Sequence, residues 1–516
     1  MIMKRGGTLE PVAAVRSASE PEANAVHPGA FWPIGEMRIV WAVLFLYVVG
    51  FICFYPRALT NFDEVSYVRQ AVTFSAGSST VDTVDPYTGQ HQKVHPSDYP
   101  PGTSALMTPF VWLGGWRGAF LLGLLAAVAC VLFTAQWIGE SGGSPLYALL
   151  VLGFVPTLVM ARVAMSDVPS ACLVAAGLWL FWSDDAGTPW RRLAAGFIAG
   201  ASLCLREPNP ILFAIFFAGA VVRRERHLIA LVGGGLAGVA CRFVGSALVY
   251  GNPLFVKVQF YGFTGLHLGQ NLRMYLPALL LLVPGGLIFA LAYRGPRWPE
   301  LVSTVAVVVG MFLVYNYDAS SSGGIKQWVL SLRFMIPLLP ILAFAMAYTC
   351  PRWYRAFTQS MSPPRRMGWD RLAKVAVATW LAGVVAVGLA VNWRSELWSA
   401  LHQQAVQALY SNTDPSQPVV ADIPGMVKFL SELHGPRMVA ELKGIQDDQI
   451  RALVNHYPAV QIVSFDRNDS EYWLTNSKRT QAFVESLSAQ FPSTLKLEQV
   501  FPGLGVLRIW NVRAHR

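Results

Sequence analysis

Charge is scarce in this chain. Asp, Glu, Lys and Arg make up 14% of its 516 residues, against roughly 25% in an ordinary soluble protein, which argues against a simple soluble domain. Cysteine is scarce as well. Cys53, Cys130, Cys172, Cys204, Cys241 and Cys350 all lie in or at the ends of apolar runs. The region beyond Val391 therefore has no disulfide framework, and the cysteines read as small packing residues. No phosphate loop of the Walker type is present, nor an internal repeat of the kind that marks inverted-repeat transporters. A cleavable signal peptide is not apparent either. The first long apolar run begins near Met37, after a polar tail (residues 1–36) expected to be disordered and cytoplasmic.

What the chain has in abundance is apolar surface: 54% hydrophobic residues and a mean hydropathy of +0.42. Because a helix needs ~20 residues to cross a bilayer, the runs predict a polytopic α-helical membrane protein of about eleven spans. They fall near Met37–Pro56, Arg117–Trp137, Pro145–Met160, Val168–Trp182, Arg192–Leu205, Pro210–Val222, Leu228–Tyr250, Met274–Tyr293, Leu301–Tyr315, Val329–Tyr348 and Leu372–Val391. Alternate connections carry Lys4 and Arg5, Arg191 and Arg192, the Arg223–Arg226 cluster, Arg294 and Arg297, and then Arg352, Arg355, Arg365 and Arg366. The positive-inside rule makes that side cytoplasmic and accounts for the formal charge of +10 without nucleic acid. A large first loop (57–103) and the C-terminal region then face outward.

The composition changes after Val391. Strands are predicted at Pro418–Asp422, Arg437–Leu442, Val460–Phe465 and Val506–Val512. Helices are predicted at Met426–Leu433, Asp448–Asn455 and Thr480–Phe491. Residues 394–516 thus read as a small α/β domain on the outer face, below a membrane domain of residues 37–393. Asp422 and Asp466 end strands, where turn chemistry is the simpler account.

The first loop opens with adjacent carboxylates, Asp63 and Glu64. Ionised side chains at the edge of a bilayer mark function by default, and a positioned carboxylate suits a general base for a hydroxyl acceptor. Asp167 is a second acidic candidate, in Ser166-Asp167-Val168-Pro169, which also reads as a helix N-cap. Outer connections carry Arg162, Arg206, Lys257, Arg273, Lys326 and Arg333, with Arg242 in the outer half of its span. Each can pair with a nearby carboxylate or snorkel; as a set they suit a lipid phosphate. His91, His95, Asp82, Asp85 and Asp98 invite a divalent metal, although Pro96 argues against a helix there and a solvated loop accounts for them. No metal site is assigned.

Four motifs occur in order along the membrane domain: Asp63-Glu64-x-x-Tyr67, His95-x-x-x-Tyr99-Pro100-Pro101-Gly102, Met165-x-Asp167-x-Pro169 and Arg333-Phe334-x-x-Pro337-x-x-Pro340. Together they resemble the GT-C membrane glycosyltransferases, especially bacterial relatives of the protein O-mannosyltransferases and the lipid A aminoarabinose transferases. The resemblance covers Met37 to about Val391. It implies a multi-pass enzyme of the bacterial cytoplasmic membrane, active on the periplasmic or equivalent face. The donor would be a polyprenyl-phosphate sugar, and the acceptor a lipid, glycan or protein. By this resemblance Asp63 is the catalytic base candidate and Asp167 a second acid in the site; Glu64, as the neighbour of Asp63, would join them by orienting the acceptor or tuning Asp63. Arg333, Lys257, Arg206, Arg162 and Lys326 would bind the donor phosphate, and Tyr67, His95 and Tyr99 would line the substrate loop. The chain departs from the aminoarabinose transferases at Asp98-Tyr99, where they carry Lys before the Pro-Pro pair, so Lys93, Lys257 or Arg333 would supply that charge. A transporter or flippase of a lipid-linked sugar would share a cationic phosphate site. It would also be expected to place ionisable groups near the midplane and to show repeated halves.

Overall fold

The computed structural model describes residues 34–182, 188–255, 268–281, 283, 285–314, 331–421, 438–442, 445, 447–467 and 471–513. Lys257, Lys326, Asp422 and the predicted helix Met426–Leu433 lie outside the described residues.

The architecture is a helical bundle with several apolar spans, followed by a mixed sheet. Among the described residues, five helical stretches are long and apolar enough to cross a membrane: Gly35–Cys53, Pro101–Glu140, Leu228–Tyr250, Arg333–Gln359 and Pro363–Asn412. Asp167–Trp182, Ile211–Val222 and Trp298–Val314 are apolar but shorter. The remaining apolar runs are broken by local chemistry. Pro145–Met160 folds as a 3-10 turn, Pro145–Leu149, and two short helices, Leu150–Gly153 and Val155–Met160, parted at the extended Phe154. Pro145 and Pro156 lack the N–H that a continuous helix would need.

Helix α1 (Ile34–Cys53) leads into the polar stretch expected as a loop. That stretch is built from regular elements: α2 (Phe62–Ser75), the antiparallel hairpin β1 (Val81–Val84) and β2 (His91–Val94), and α3 (Pro101–Gly114). Asn61 caps α2, and Glu64 completes a capping box, which is why the helix starts where the polar motif begins. Ser104 on α3 donates to Tyr67 O at 3.0 Å and holds α2 against α3. Gly102 is required at this crossing, because a Cβ there would stand 2.5 Å from Cys204 O.

The bundle core is aromatic at the end remote from α2. Trp137 stacks on Phe344 at 4.2 Å, and Trp182 and Tyr293 close on the same ring at 4.8 and 6.0 Å. Beside this knot Glu225 gathers Arg192, Arg223 and Arg297, binding Arg297 through both oxygens at 2.6 and 2.9 Å. Asp167 begins α4 (Asp167–Trp182) and Trp182 ends it. At 1.5 Å per residue the arginine cluster therefore lies about 22 Å from the Asp167 end.

The last bundle helix, Pro363–Asn412, runs for 50 residues. It continues unbroken past Val391, and its buried Ala405 and Leu409 join the core of the C-terminal sheet. That sheet has the order β4-β3-β5-β7-β6, from β3 (Val419–Ala421), β4 (Val439–Glu441), β5 (Val460–Arg467), β6 (Ser493–Phe501) and β7 (Gly505–Val512). β3 pairs in parallel with β4 and β5, and β7 pairs antiparallel with β5 and β6. β6 was not expected. Its exposed face carries Leu495 and Val500 among polar residues, so the alternation that signals a strand is blurred.

Candidate active site

Four elements meet at one end of the bundle: the start of α2, the turn before α3, the segment leading into α4, and a 3-10 turn, Arg333–Leu338. The last is tight because Pro337 and Pro340 remove the amide donors that an α-helix would use there. It places Arg333 and Phe334 side by side over the site.

Asp63 is the most open acid here, its side chain 26% exposed. Tyr99 donates its hydroxyl to Asp63 Oδ1 at 2.5 Å, a length typical of a charge-assisted bond. Arg333 Nη2 stands 3.5 Å from Asp63 Oδ2, a loose contact for such a pair. Burial, and then the Asp63 charge, hold the Tyr99 phenol well above its ordinary range, so it stays a donor. Tyr99 is fixed in turn by Tyr250, which donates to Tyr99 O at 2.5 Å and accepts from Gln70 at 2.8 Å.

Asp167 is the buried counterpart, its side chain 2% exposed and paired with Arg206 Nη1. Asn209 steadies the turn that carries Arg206, bonding Ser170 at 3.0 Å and Ser202 O at 3.2 Å. Both guanidinium groups lie on the ring of Phe334, Arg206 at 5.0 Å and Arg333 at 5.1 Å. The two ion pairs are therefore adjacent, sharing one aromatic surface.

Glu64 points away from Asp63. It is fully buried, and its carboxylate accepts from Thr60 N at 2.7 Å, Asn61 N at 3.3 Å and Ala164 N at 2.8 Å. Burial pushes its carboxyl up to about 7, with the three backbone donors pulling the other way. Its geometry is that of a positioning residue. Tyr67 stacks near Tyr99 with ring centroids 4.6 Å apart and reaches Ser166 at 3.3 Å. His95 sits farther out, edge-on to Tyr250 at 5.3 Å.

Not all of the cations converge. Arg162 turns to the other side of its segment, donating to Asn392 Oδ1 at 2.7 Å and to Phe54 O, above the ring of Phe51. Arg242 bonds Ser246 and, at 2.8 Å, Phe255 O. Arg273 is exposed. Among the described residues no group of three or more His, Cys, Asp or Glu is close enough to hold a metal ion; His91 and His95 belong to a hairpin and its exit. Phe334, Tyr250, Gln70, Ser166 and Asn209 were missed by sequence reasoning. Phe334 and Ser166 stand inside quoted motifs, Ser166 read there only as part of a helix N-cap, but Tyr250, Gln70 and Asn209 bear no pattern of their own.

No protein-family profile matches the chain, and no curated protein matches it in sequence. Its structure does match solved ones. The crystal structure of ArnT from Cupriavidus metallidurans in the apo state superposes with a TM-score of 0.58 at 14% identity, covering 92% of this chain and 98% of that one. The structure of the same protein bound to undecaprenyl phosphate gives 0.57 at 13% identity, with the same coverage. The chain has the ArnT fold, in agreement with the resemblance carried by the four motifs.

Proposed function

We propose that the chain is an integral-membrane glycosyltransferase that moves a sugar from a polyprenyl-phosphate donor to a hydroxyl-bearing lipid, glycan or protein. The observation that carries this reading is the pair of carboxylate–guanidinium contacts, Asp63–Arg333 and Asp167–Arg206, meeting over Phe334. A fold shared with a protein crystallised with undecaprenyl phosphate supports it.

In this mechanism the acceptor oxygen attacks the anomeric carbon from the face opposite the phosphate, so configuration inverts. Its proton passes to Asp63, while the bond from the anomeric carbon to the phosphate oxygen breaks and its electrons leave on the polyprenyl phosphate. Tyr99 occupies Asp63 Oδ1 and leaves Oδ2 to receive the proton. Arg333 exchanges its loose contact with Asp63 for the donor phosphate, and Arg206 lends a second positive charge. Such preset cations favour the transition state because charge builds on the leaving phosphate. Asp167, buried and paired, serves to aim Arg206. Lys257 and Lys326 remain candidates for the same phosphate. Orientation follows from the arginine distribution: the Glu225 cluster faces the cytoplasm, and the site, with the C-terminal domain, faces outward.

The test is sugar transfer by purified protein across a titration of undecaprenyl-phosphate sugar at fixed acceptor. The sugar and acceptor are first identified by mass spectrometry of glycolipids and glycoproteins from a deletion strain. Arg333→Gln is expected to weaken donor use by one to two decades, the ~1.5–3 kcal/mol of a charged hydrogen bond. Arg333→Lys should restore only part, since a point charge cannot replace the fork. Donor dependence unchanged in both variants would reject the phosphate site and return a transporter to contention.

A further inference from the structure

On the far side of the segment that carries Asp167, a groove runs between α1 and the long helix Pro363–Asn412. Val43, Leu46, Tyr47, Leu152, Leu158, Val385, Gly388 and Leu389 line it, and Asn392 stands at its head. The groove is shallow and open along one side, its enclosed room about 20 Å³. At Gly388 the emptiness is direct: a Cβ built there would meet nothing within 4 Å.

The head of this groove is polar and unsatisfied. Tyr47 is 6% exposed, Asn392 1% and Arg162 3%. Tyr47 Oη, Asn392 Nδ2 and Arg162 Nε are all buried without a hydrogen-bond partner. Arg162 uses its other nitrogens on Asn392 Oδ1 and Phe54 O, both neutral acceptors; the carboxylate acting on it is Glu396, one turn along the long helix and itself bridged to Arg57 at 2.5 Å. One carboxylate shared by two arginines leaves the buried guanidinium under-compensated, and unbonded donors in an apolar wall add to that cost. All three atoms can donate, and with Arg57 and Arg162 sharing Glu396 the charge there sums to positive.

The order along the helices is also informative. Arg162 sits at the end of α1, on Phe54 O. Asn392 Nδ2 lies level with Gly50, where a Cβ would come within 3.1 Å of it. Tyr47 is about one turn deeper. Below Tyr47 the lining is aliphatic. Cation, then neutral donors, then aliphatic wall is the order in which a diacyl phospholipid presents phosphate, ester carbonyl and acyl chain. We infer that the groove between α1 and the long helix is a binding site for an anionic phospholipid. The phosphate lies against Arg162, an ester oxygen accepts from Asn392 and Tyr47, and one acyl chain lies along Gly388 and Leu389. This site is separate from the donor site and does not depend on the transferase reading. Arg162 and Asp167 face opposite ways from one short segment, so the lipid would brace the segment from behind.

The full-length protein, reconstituted in nanodiscs with a phosphatidylglycerol bearing a diazirine in one acyl chain, tests this. After illumination, peptides of α1 around Val43–Tyr47 and of the long helix around Val385–Leu389 should carry the label. Unlabelled phosphatidylglycerol should compete better than phosphatidylcholine. Gly388→Leu fills the groove and should remove labelling at both peptides. Tyr47→Phe deletes one oxygen and leaves the packing intact; it should lower labelling about tenfold, the loss of a single bond near 1.4 kcal/mol. Labelling unchanged in both variants, or equal competition by the zwitterionic lipid, would overturn the inference. So would preferential labelling of these peptides by a diazirine polyprenyl phosphate, which would make the groove a path for the donor's tail.

Discussion

Glu64 accepts the backbone N–H of Ala164 at 2.8 Å, and this buried bond joins the helix that carries Asp63 to the segment that carries Asp167. The two acids of the candidate site, 104 positions apart in sequence, are thereby set in one frame. Around that bond the short segment distributes its side chains: Met165 toward Arg333 at 3.8 Å, Ser166 toward Tyr67, Asp167 toward Arg206, and Arg162 in the opposite direction. The site is assembled about this segment.

If Asp63 is the base, Asp63→Asn should reduce transfer by ~10²-fold or more, in line with general-base catalysis, and leave the protein monodisperse. Tyr99→Phe should cost less, because it frees Asp63 Oδ1 without removing the base. Turnover by purified protein measures both. Near-normal activity of Asp63→Asn would transfer the role to Asp167.

Asp167 and Arg206 test a different property. Either Asp167→Asn or Arg206→Gln strands a largely buried charge or donor, and should destabilise by about 3 kcal/mol. The double variant should lose less than the two singles combined, since its members act as a unit. Melting in detergent at fixed lipid content reads this. Additive losses would show that the pair is not coupled.

Glu64 gives a pH signature. Burial raises its folded-state value from 4.5 to about 7. Below 4.5 both folded and unfolded chains hold the proton, and this group's contribution is fully present. Between 4.5 and 7 the unfolded chain releases the proton and the fold does not, so stability falls as pH rises, by about 3 kcal/mol in all. Above 7 it levels off. Melting temperature should decline across that window, and Glu64→Gln should flatten the decline. An identical slope in the variant would place the titration elsewhere.

Gly102 sits where α3 meets the turn leading to Arg206. A methyl group 2.5 Å from Cys204 O forces the two apart, so Gly102→Ala should lower both melting temperature and transfer. Gly114→Ala, on the same helix and facing open space, is the control and should do neither. Equal behaviour would mean that the crossing relaxes freely.

Asp63, Asp167, Tyr99 and Arg333 were legible because each combined an unusual residue type with an unusual place: charge or hydroxyl at the edge of an apolar run, next to proline or a cap. The strands around Val420, Val463 and Ile509 were legible for the opposite reason, their uniform β-branched character. What escaped was context. Glu64 looks like Asp63 in sequence, yet helix capping consumes it. Arg162 looks like Arg206, yet it lies on the reverse of its segment. Helix α2 was hidden because polar residues interrupt its apolar signal while buried ones such as Val65 and Val68 pack on neighbours distant in sequence; in α3 the interruption comes from the buried Thr103, Ser104 and Thr108 and from Pro109. The short runs that suggested spans, such as Pro145–Met160, are bent by proline, and length alone did not show it.

One helix carries the chain from the bundle into the sheet domain without a hinge, and at 1.5 Å per residue its stretch beyond Val391 rises about 30 Å. The hairpin tip adds a second fastening, for Tyr87 packs into the far core of that domain beside Tyr457. Fastened at these two points, the domain stands off from the candidate site by a distance that the helix length sets. Shortening or lengthening that strut by a turn would move the domain by a known step and rotate it, which makes the clearance above Asp63 an adjustable dimension of the molecule.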